Sequence, residues 1–147
     1  MSRPTQFTID LQALRENART LKDLAGPRCT MAVVKADAYG HGAVPCARAL
    51  SSLVDAFAVA ITEEAVALRN AGIDLPILVL QGPHSLEDAQ IMSSAALWPA
   101  ISSGHQIDWL EQTGPQFEQI WLKCDTGMHR LGFMPDEITS VRSRLTA

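Results

Sequence analysis

At 147 residues and 47% hydrophobic, with a mean hydropathy of +0.06, the chain has the apolar content of one globular core and carries no long low-complexity tail. A formal charge of -4, without a Lys/Arg cluster, lacks the concentrated positive stripe of a nucleic-acid surface and leaves a small molecule or another protein chain as the expected partner. No apolar h-region opens the chain and no window approaches the roughly 20 apolar residues that span a bilayer, so a cytoplasmic chain with no membrane association is expected.

Taken in chain order, residues 5–9 (TQFTI) read as a strand with no obvious partner. Residues 10–26 (DLQALRENARTLKDLAG) form an amphipathic helix capped by Asp10, with Leu11, Leu14, Leu21 and Leu24 on a recurring face. From residue 29 onward short β-rich runs alternate with helical ones. Residues 29–34 (CTMAVV) are a strand and 42–55 a helix, with Pro45 tolerated in its first turn. Residues 56–60 (AFAVA) are the next strand, and 62–72 a helix with Thr62 as N-cap, Glu63 and Glu64 favouring its start, and Gly72 ending it.

The same rhythm continues with a strand at 76–81 and a helix at 85–94, then a strand at 96–101 and a helix at 103–114. A fifth strand is expected over 117–124 (FEQIWLKC) and a last helix over 135–146. Nearly continuous apolar strands separated by helices predict an α/β fold with a parallel sheet covered by helices, either a barrel or a doubly wound sheet. Cys29, Cys46 and Cys124 show no CxxC pair and no His at ligand spacing, so they read as free thiols with no disulfide and no metal site.

In such a fold the rim where strands end and loops begin presents side chains from several strands to one crevice. The stretch VVKADAYGHG places Lys35 at that rim behind apolar Val33 and Val34. There the amine is expected to lose hydration and to favour the neutral form that a Schiff base requires. Tyr39, with Gly40 and Gly42 at a helix start, offers donors to an anion. Read alone, Lys35 also fits a strand-end lysine reaching out to solvent, and Tyr39 a half-buried aromatic.

As a whole, VVKADAYGHG closely resembles the pyridoxal-phosphate attachment signature of alanine racemases. The resemblance extends to LKCDTGMHRLGF at 122–133 and to IDLQALRENARTL near the start. It implies that residues 1–147 are the amino-terminal part of a TIM (β/α)8 barrel, incomplete in this chain, with the later barrel strands and a β domain absent.

Carried over position by position, the resemblance implies that Lys35 holds pyridoxal 5'-phosphate and acts as one of two racemisation bases. Tyr39 would bind the cofactor phosphate, and Arg130 the substrate carboxylate near the cofactor's phenolic oxygen. Lys123 matches a lysine that many members carry as a carbamate, and His41 has a supporting role. Asp125 and Met128 are read as structural, His129 has no catalytic role, and His84 and His105 are assigned to exposed loops.

The implied reaction interconverts L-alanine and D-alanine, for cell-wall supply or alanine catabolism, in a homodimer when full-length. Serine racemases share these segments. The alternative is a non-catalytic cofactor-binding or interaction module derived from the same barrel. Because Lys35 serves only one face of the substrate, the isolated chain is expected to be inactive.

Overall fold

The computed structural model describes residues 5–114 and 117–145. Five strands follow one another in space in the order in which they occur in the chain: β1 (Met31–Val33), β2 (Ala56–Val59), β3 (Ile77–Val79), β4 (Trp98–Ile101) and β5 (Trp121–Leu122). Every neighbouring pair is parallel. The register sets Val33 beside Ala58, Val59 beside Val79, Leu78 beside Trp98 and Ile101 beside Leu122. Parallel neighbours need crossover connections, and these carry α2 (Lys35–Gly40), α3 (Ala43–Leu50), α4 (Thr62–Asn70), α5 (Leu86–Ser94) and α6 (Gly104–Thr113), with α1 (Leu11–Ala25) ahead of β1 and α7 (Ile138–Leu145) after β5.

The two-residue period of a strand divides the sheet into unlike faces. Phe57, Val59, Ile77 and Val79 point to one side, where they share a core with Leu50 of α3, Leu68 of α4 and Met92 of α5. Ile101 extends that layer against Ile107 and Leu110 of α6 and Val141 of α7. On the opposite face Ala58, Leu78 and Ala100 form a separate cluster with Met31, Leu80 and Trp98. Among the described residues, helices therefore cover one face only. A doubly wound sheet carries helices on both faces, so this arrangement selects the wall of a (β/α) barrel between the two architectures that the sequence pattern permits. Phe57, Leu68, Ile77 and Met92 are completely buried, each contributing roughly 1.5–3 kcal/mol by leaving water.

Local chemistry accounts for the element ends. The Asp10 carboxylate accepts hydrogen bonds from the amides of Gln12 (2.9 Å) and Ala13 (3.0 Å), the expected cap of α1. The guanidinium of Arg69 donates to the carbonyls of Ile73 (2.6 Å), Leu75 (2.7 Å), Ala95 (3.0 Å) and Ala96 (3.0 Å), tying the ends of α4 and α5 to the strands that follow.

Several sequence expectations are corrected. Residues 5–9 make no strand and pair with none of the five; the Phe7 ring packs instead 5.9 Å from that of His41. Leu11, Leu14 and Ala18 pack on the core, whereas Leu21 and Leu24, nearer the end of α1, are exposed. The helix expected over 42–55 stops at Leu50. There Leu53 and Val54 both donate to the Leu50 carbonyl, and the resulting turn delivers Asp55 to the Thr30 amide at 2.6 Å. Thr62 is the first helical residue of α4, with extended Ile61 at the N-cap position; the Thr62 hydroxyl is buried and caps nothing. The fifth strand shrinks to two residues, Trp121 and Leu122 registered on β4, because past the Lys123 amide the chain turns away from β4 into a Cys124–Phe133 bridge. The last expected helix spans Ile138–Leu145, and Thr146 lies outside the described residues.

Candidate functional site

The rim above β1 is built from an unusual backbone. Val34 is buried and donates to the Ala58 carbonyl at 2.8 Å, the last rung of the ladder. Beyond Lys35, the residues Ala36, Asp37, Ala38 and Tyr39 have φ of 50°, 53°, 52° and 56°, one turn of left-handed helix made of non-glycine residues. Each L-residue in that conformation costs roughly 1–2 kcal/mol, so the turn persists only where its surroundings over-determine it.

They do so through a dense set of hydrogen bonds. The Ala38 amide donates to the Val34 carbonyl and the Gly42 amide to the Asp37 carbonyl, both at 2.9 Å. The Asp37 carboxylate accepts from the Ala43 amide at 2.6 Å, holding the start of α3. The Glu64 carboxylate accepts from the Ala36 amide at 2.6 Å with one oxygen and from the Ala60 amide at 2.7 Å with the other. Gly42, at φ 88°, makes the exit into α3, a conformation glycine adopts without steric penalty.

The alternation of Met31, Val33 and Lys35 turns the lysine toward the face opposite the helices, where it is half-buried. Its Nζ lies 5.8 Å from the centroid of the Tyr39 ring. Across the sheet, the Lys123 amide continues the β5 ladder by donating to the Ile101 carbonyl at 2.9 Å. The loop that follows is closed by the Phe133 amide donating to the Lys123 carbonyl (2.9 Å) and the Asp125 amide donating to the Phe133 carbonyl (2.8 Å).

Within that loop the buried Asp125 carboxylate accepts from the amides of Gly127 and His129 (3.0 Å each), and its other oxygen lies 3.1 Å from His129 Nδ1. These backbone donors, led by Gly127, hold the Asp125 carboxyl below the usual carboxylate range. The structural role read for Asp125 is thus given a mechanism. Gly132 has φ 123°, and a Cβ there would lie 2.8 Å from the Asp125 amide nitrogen, so the loop closes only around glycine.

Lys35, Lys123 and Arg130 line one open cavity of about 1240 Å³, together with Gln81, Ser102 and His129. Two lysines and an arginine thus face a space whose lining carboxylate, Asp125, already has both oxygens engaged. The donor set suits an anionic ligand bearing phosphate or carboxylate groups. Tyr39 and His41 do not line the cavity. Tyr39 is 61% exposed, with its ring beside Lys35, and His41 uses Nδ1 on the Ala38 carbonyl at 2.9 Å.

His84, expected to be merely exposed, does line the cavity and has an acidic neighbour, Asp88, at 3.9 Å; His105 belongs to α6, not a loop, and lies 3.9 Å from Asp108. Among the described residues no group of three or more His, Cys, Asp or Glu is placed to hold a metal ion, and no helix is long and apolar enough to cross a membrane.

Two residues that pin the rim were missed by sequence reasoning. Gln106 is buried in α6; it accepts from the Ser102 amide at 2.7 Å and donates to the carbonyls of Gln81 (2.6 Å) and Pro83 (3.1 Å), joining the loops above β3 and β4. Glu64 joins the loops above β1 and β2. Its signal was present, a glutamate at the third helical position where a capping box places one, but its second partner lies 28 residues away in sequence and only folding reveals it.

The profile of the family described as "Alanine racemase, N-terminal domain" matches residues 9–147. The chain belongs to the alanine racemase family. It is 47% identical over 144 residues to an alanine racemase of Xanthomonas oryzae, covering 97% of this chain and 39% of that protein. It is 43% identical over 146 residues to a catabolic alanine racemase of Pseudomonas aeruginosa, covering 99% of this chain and 41% of the relative. The alanine racemase structure from Acinetobacter baumannii superposes with a TM-score of 0.87 at 33% identity, over 94% of this chain and 40% of that one. The parallel five-stranded sheet thus matches the amino-terminal barrel portion of racemase structures, and the chain spans about two fifths of the length of these relatives.

Proposed function

We propose that this chain is the amino-terminal part of a pyridoxal 5'-phosphate-dependent alanine racemase, a dimer that interconverts L-alanine and D-alanine when complete. The observation that carries this reading is the convergence of Lys35, Lys123 and Arg130 on one cavity at the strand-end rim of a barrel wall. The cationic donor set fits the cofactor, which when bound supplies a pyridine ring that acidifies the substrate α-hydrogen by absorbing charge.

In this reading Lys35 Nζ would anchor the cofactor and would take and return the substrate α-hydrogen on its own face. Arg130 directs its planar fork of donors at a carboxylate, and Lys123 on the same wall supports that arginine, as a carbamate when carbon dioxide adds to its neutral amine. Tyr39, whose ring lies 5.8 Å from Lys35 Nζ, would donate its phenolic hydrogen to the phosphate. His41 supports the turn through the Ala38 carbonyl. Lys35 reaches one face only, so the base for the other face lies outside these residues.

Borohydride reduction in the presence of pyridoxal phosphate, followed by peptide mapping, is expected to label Lys35; a label on Lys22 or Lys123 overturns the assignment. Racemisation is expected when the chain is mixed with a separately expressed carboxyl-terminal portion. Robust turnover by the chain alone would refute the division of the two bases.

A further inference from the structure

We propose that Glu64 is a positioning residue for the reaction, fixing the backbone from which Lys35 projects; the inference rests on Lys35 being the cofactor-holding amine. From the first turn of α4, Glu64 Oε1 accepts the Ala36 amide at 2.6 Å and Oε2 accepts the Ala60 amide at 2.7 Å. The Ala36 N–H belongs to the peptide unit that leaves Lys35. Holding it sets the rotation about the Lys35 Cα–C bond, and thereby the orientation of that peptide against the Cα that carries the amine.

The strain of the following residues gives this bond its consequence. Ala36 opens the left-handed turn, and its amide donates to no carbonyl of that turn, since the first closing bond runs from Ala38 to Val34. Glu64 is what opposes relaxation of the turn at its start, as Asp37 does at its end through the Ala43 amide. An ordinary capping box would send the third-position glutamate back to its own helix start. Here one oxygen accepts from Ala60, the residue before the N-cap Ile61, and the other crosses to the neighbouring strand-end loop.

Both partners are N–H donors, so both oxygens must accept. Glutamine would turn an NH₂ group toward one of them, and aspartate is a methylene too short to span both. The arrangement therefore demands a glutamate for geometry and not for charge alone.

The test uses the complete enzyme with pyridoxal 5'-phosphate. Amide hydrogen exchange in the unaltered protein is read first: protection at Ala36 and Ala60 is expected, and fast exchange at Ala36 overturns the inference. Glu64→Gln is then expected to slow reductive capture of the cofactor at Lys35 and to lower kcat, each about tenfold, with KM for alanine unchanged. Asp10→Ala removes the cap of α1, lines no part of the cavity and serves as the stability control; it is expected to lower the melting temperature and leave kcat intact.

Equal losses of kcat in Asp10→Ala and Glu64→Gln at matched melting temperatures would make Glu64 merely structural and sink the proposal, as would wild-type capture and kcat in Glu64→Gln. Should Glu64→Gln fail to fold, Glu64→Asp is read against the same control with the same two outcomes. Capture on a lysine other than Lys35 in the unaltered enzyme would instead reject the Lys35 assignment, and the Ala36 exchange result distinguishes the two failures.

Discussion

The two rims that face each other across the cavity are held in contrasting ways. Above β1, a strained left-handed turn is pinned from both ends by carboxylates from different elements, Glu64 of α4 and Asp37 of the turn itself, and backed by buried Val34 and Ala38. Above β5, a two-residue strand runs into a largely exposed loop organised around one carboxylate, Asp125, and one glycine, Gly132. In the proposed function the first rim carries the residue that would hold a cofactor at a fixed angle, and the second carries Arg130, whose long side chain would tolerate more latitude in its backbone. Rigidity in this fold is concentrated where covalent chemistry would demand it.

The comparison predicts unequal consequences. Lys35→Ala in the complete enzyme is expected to produce the largest loss, roughly 10²–10⁴-fold or more in turnover, checked by a racemisation assay and by loss of retained pyridoxal phosphate after gel filtration. Near-normal turnover would mean that the first rim holds no catalytic amine.

Gly132→Ala comes next. Its Cβ would meet the Asp125 amide at 2.8 Å in a backbone of φ 123°, so a destabilisation of about 3 kcal/mol is expected, read as a fall in the denaturant midpoint. A midpoint unchanged by this substitution would show that the second rim is looser than its glycine suggests.

Arg130→Ala is expected to reduce kcat/KM for alanine, and Arg130→Lys to restore only part of it, because one ammonium cannot reproduce a two-point fork. Wild-type kinetics in Arg130→Lys would reduce Arg130 to a point charge.

The smallest expected effect concerns pH. The Asp125 carboxyl is held below its ordinary value of 3.8, so it binds protons less readily in the folded chain than in the unfolded one. The stability this confers is present in full above 3.8 and is lost as pH falls through the lower folded value. Asp125→Asn should therefore flatten the acid limb of a stability-versus-pH curve while leaving its shape near neutrality unchanged. An acid limb as steep as in the unaltered protein would assign that titration to another carboxylate.

Much of this architecture was legible before folding. The apolar runs at 29–34, 56–60, 76–81 and 96–101 each contain a parallel strand, and Asp10 and Ser85 cap the helices where their chemistry places them, because strand burial and N-capping depend on residues a few positions apart. The string VVKADAYGHG marked Lys35 and the string ending at Phe133 marked Lys123 and Arg130, while the number of βα units followed from the alternation alone and their order in the sheet did not. What the tertiary structure alone decided was which face of the sheet stays bare, how short β5 is, and that Ala36–Tyr39 coil left-handed, a conformation that local propensity opposes. Glu64 illustrates the reason. Its meaning as a helix-start residue lies within its own turn, whereas its hold on the Ala36 amide arises only when two strands 25 residues apart in register, Met31 beside Ala56, bring their loops together.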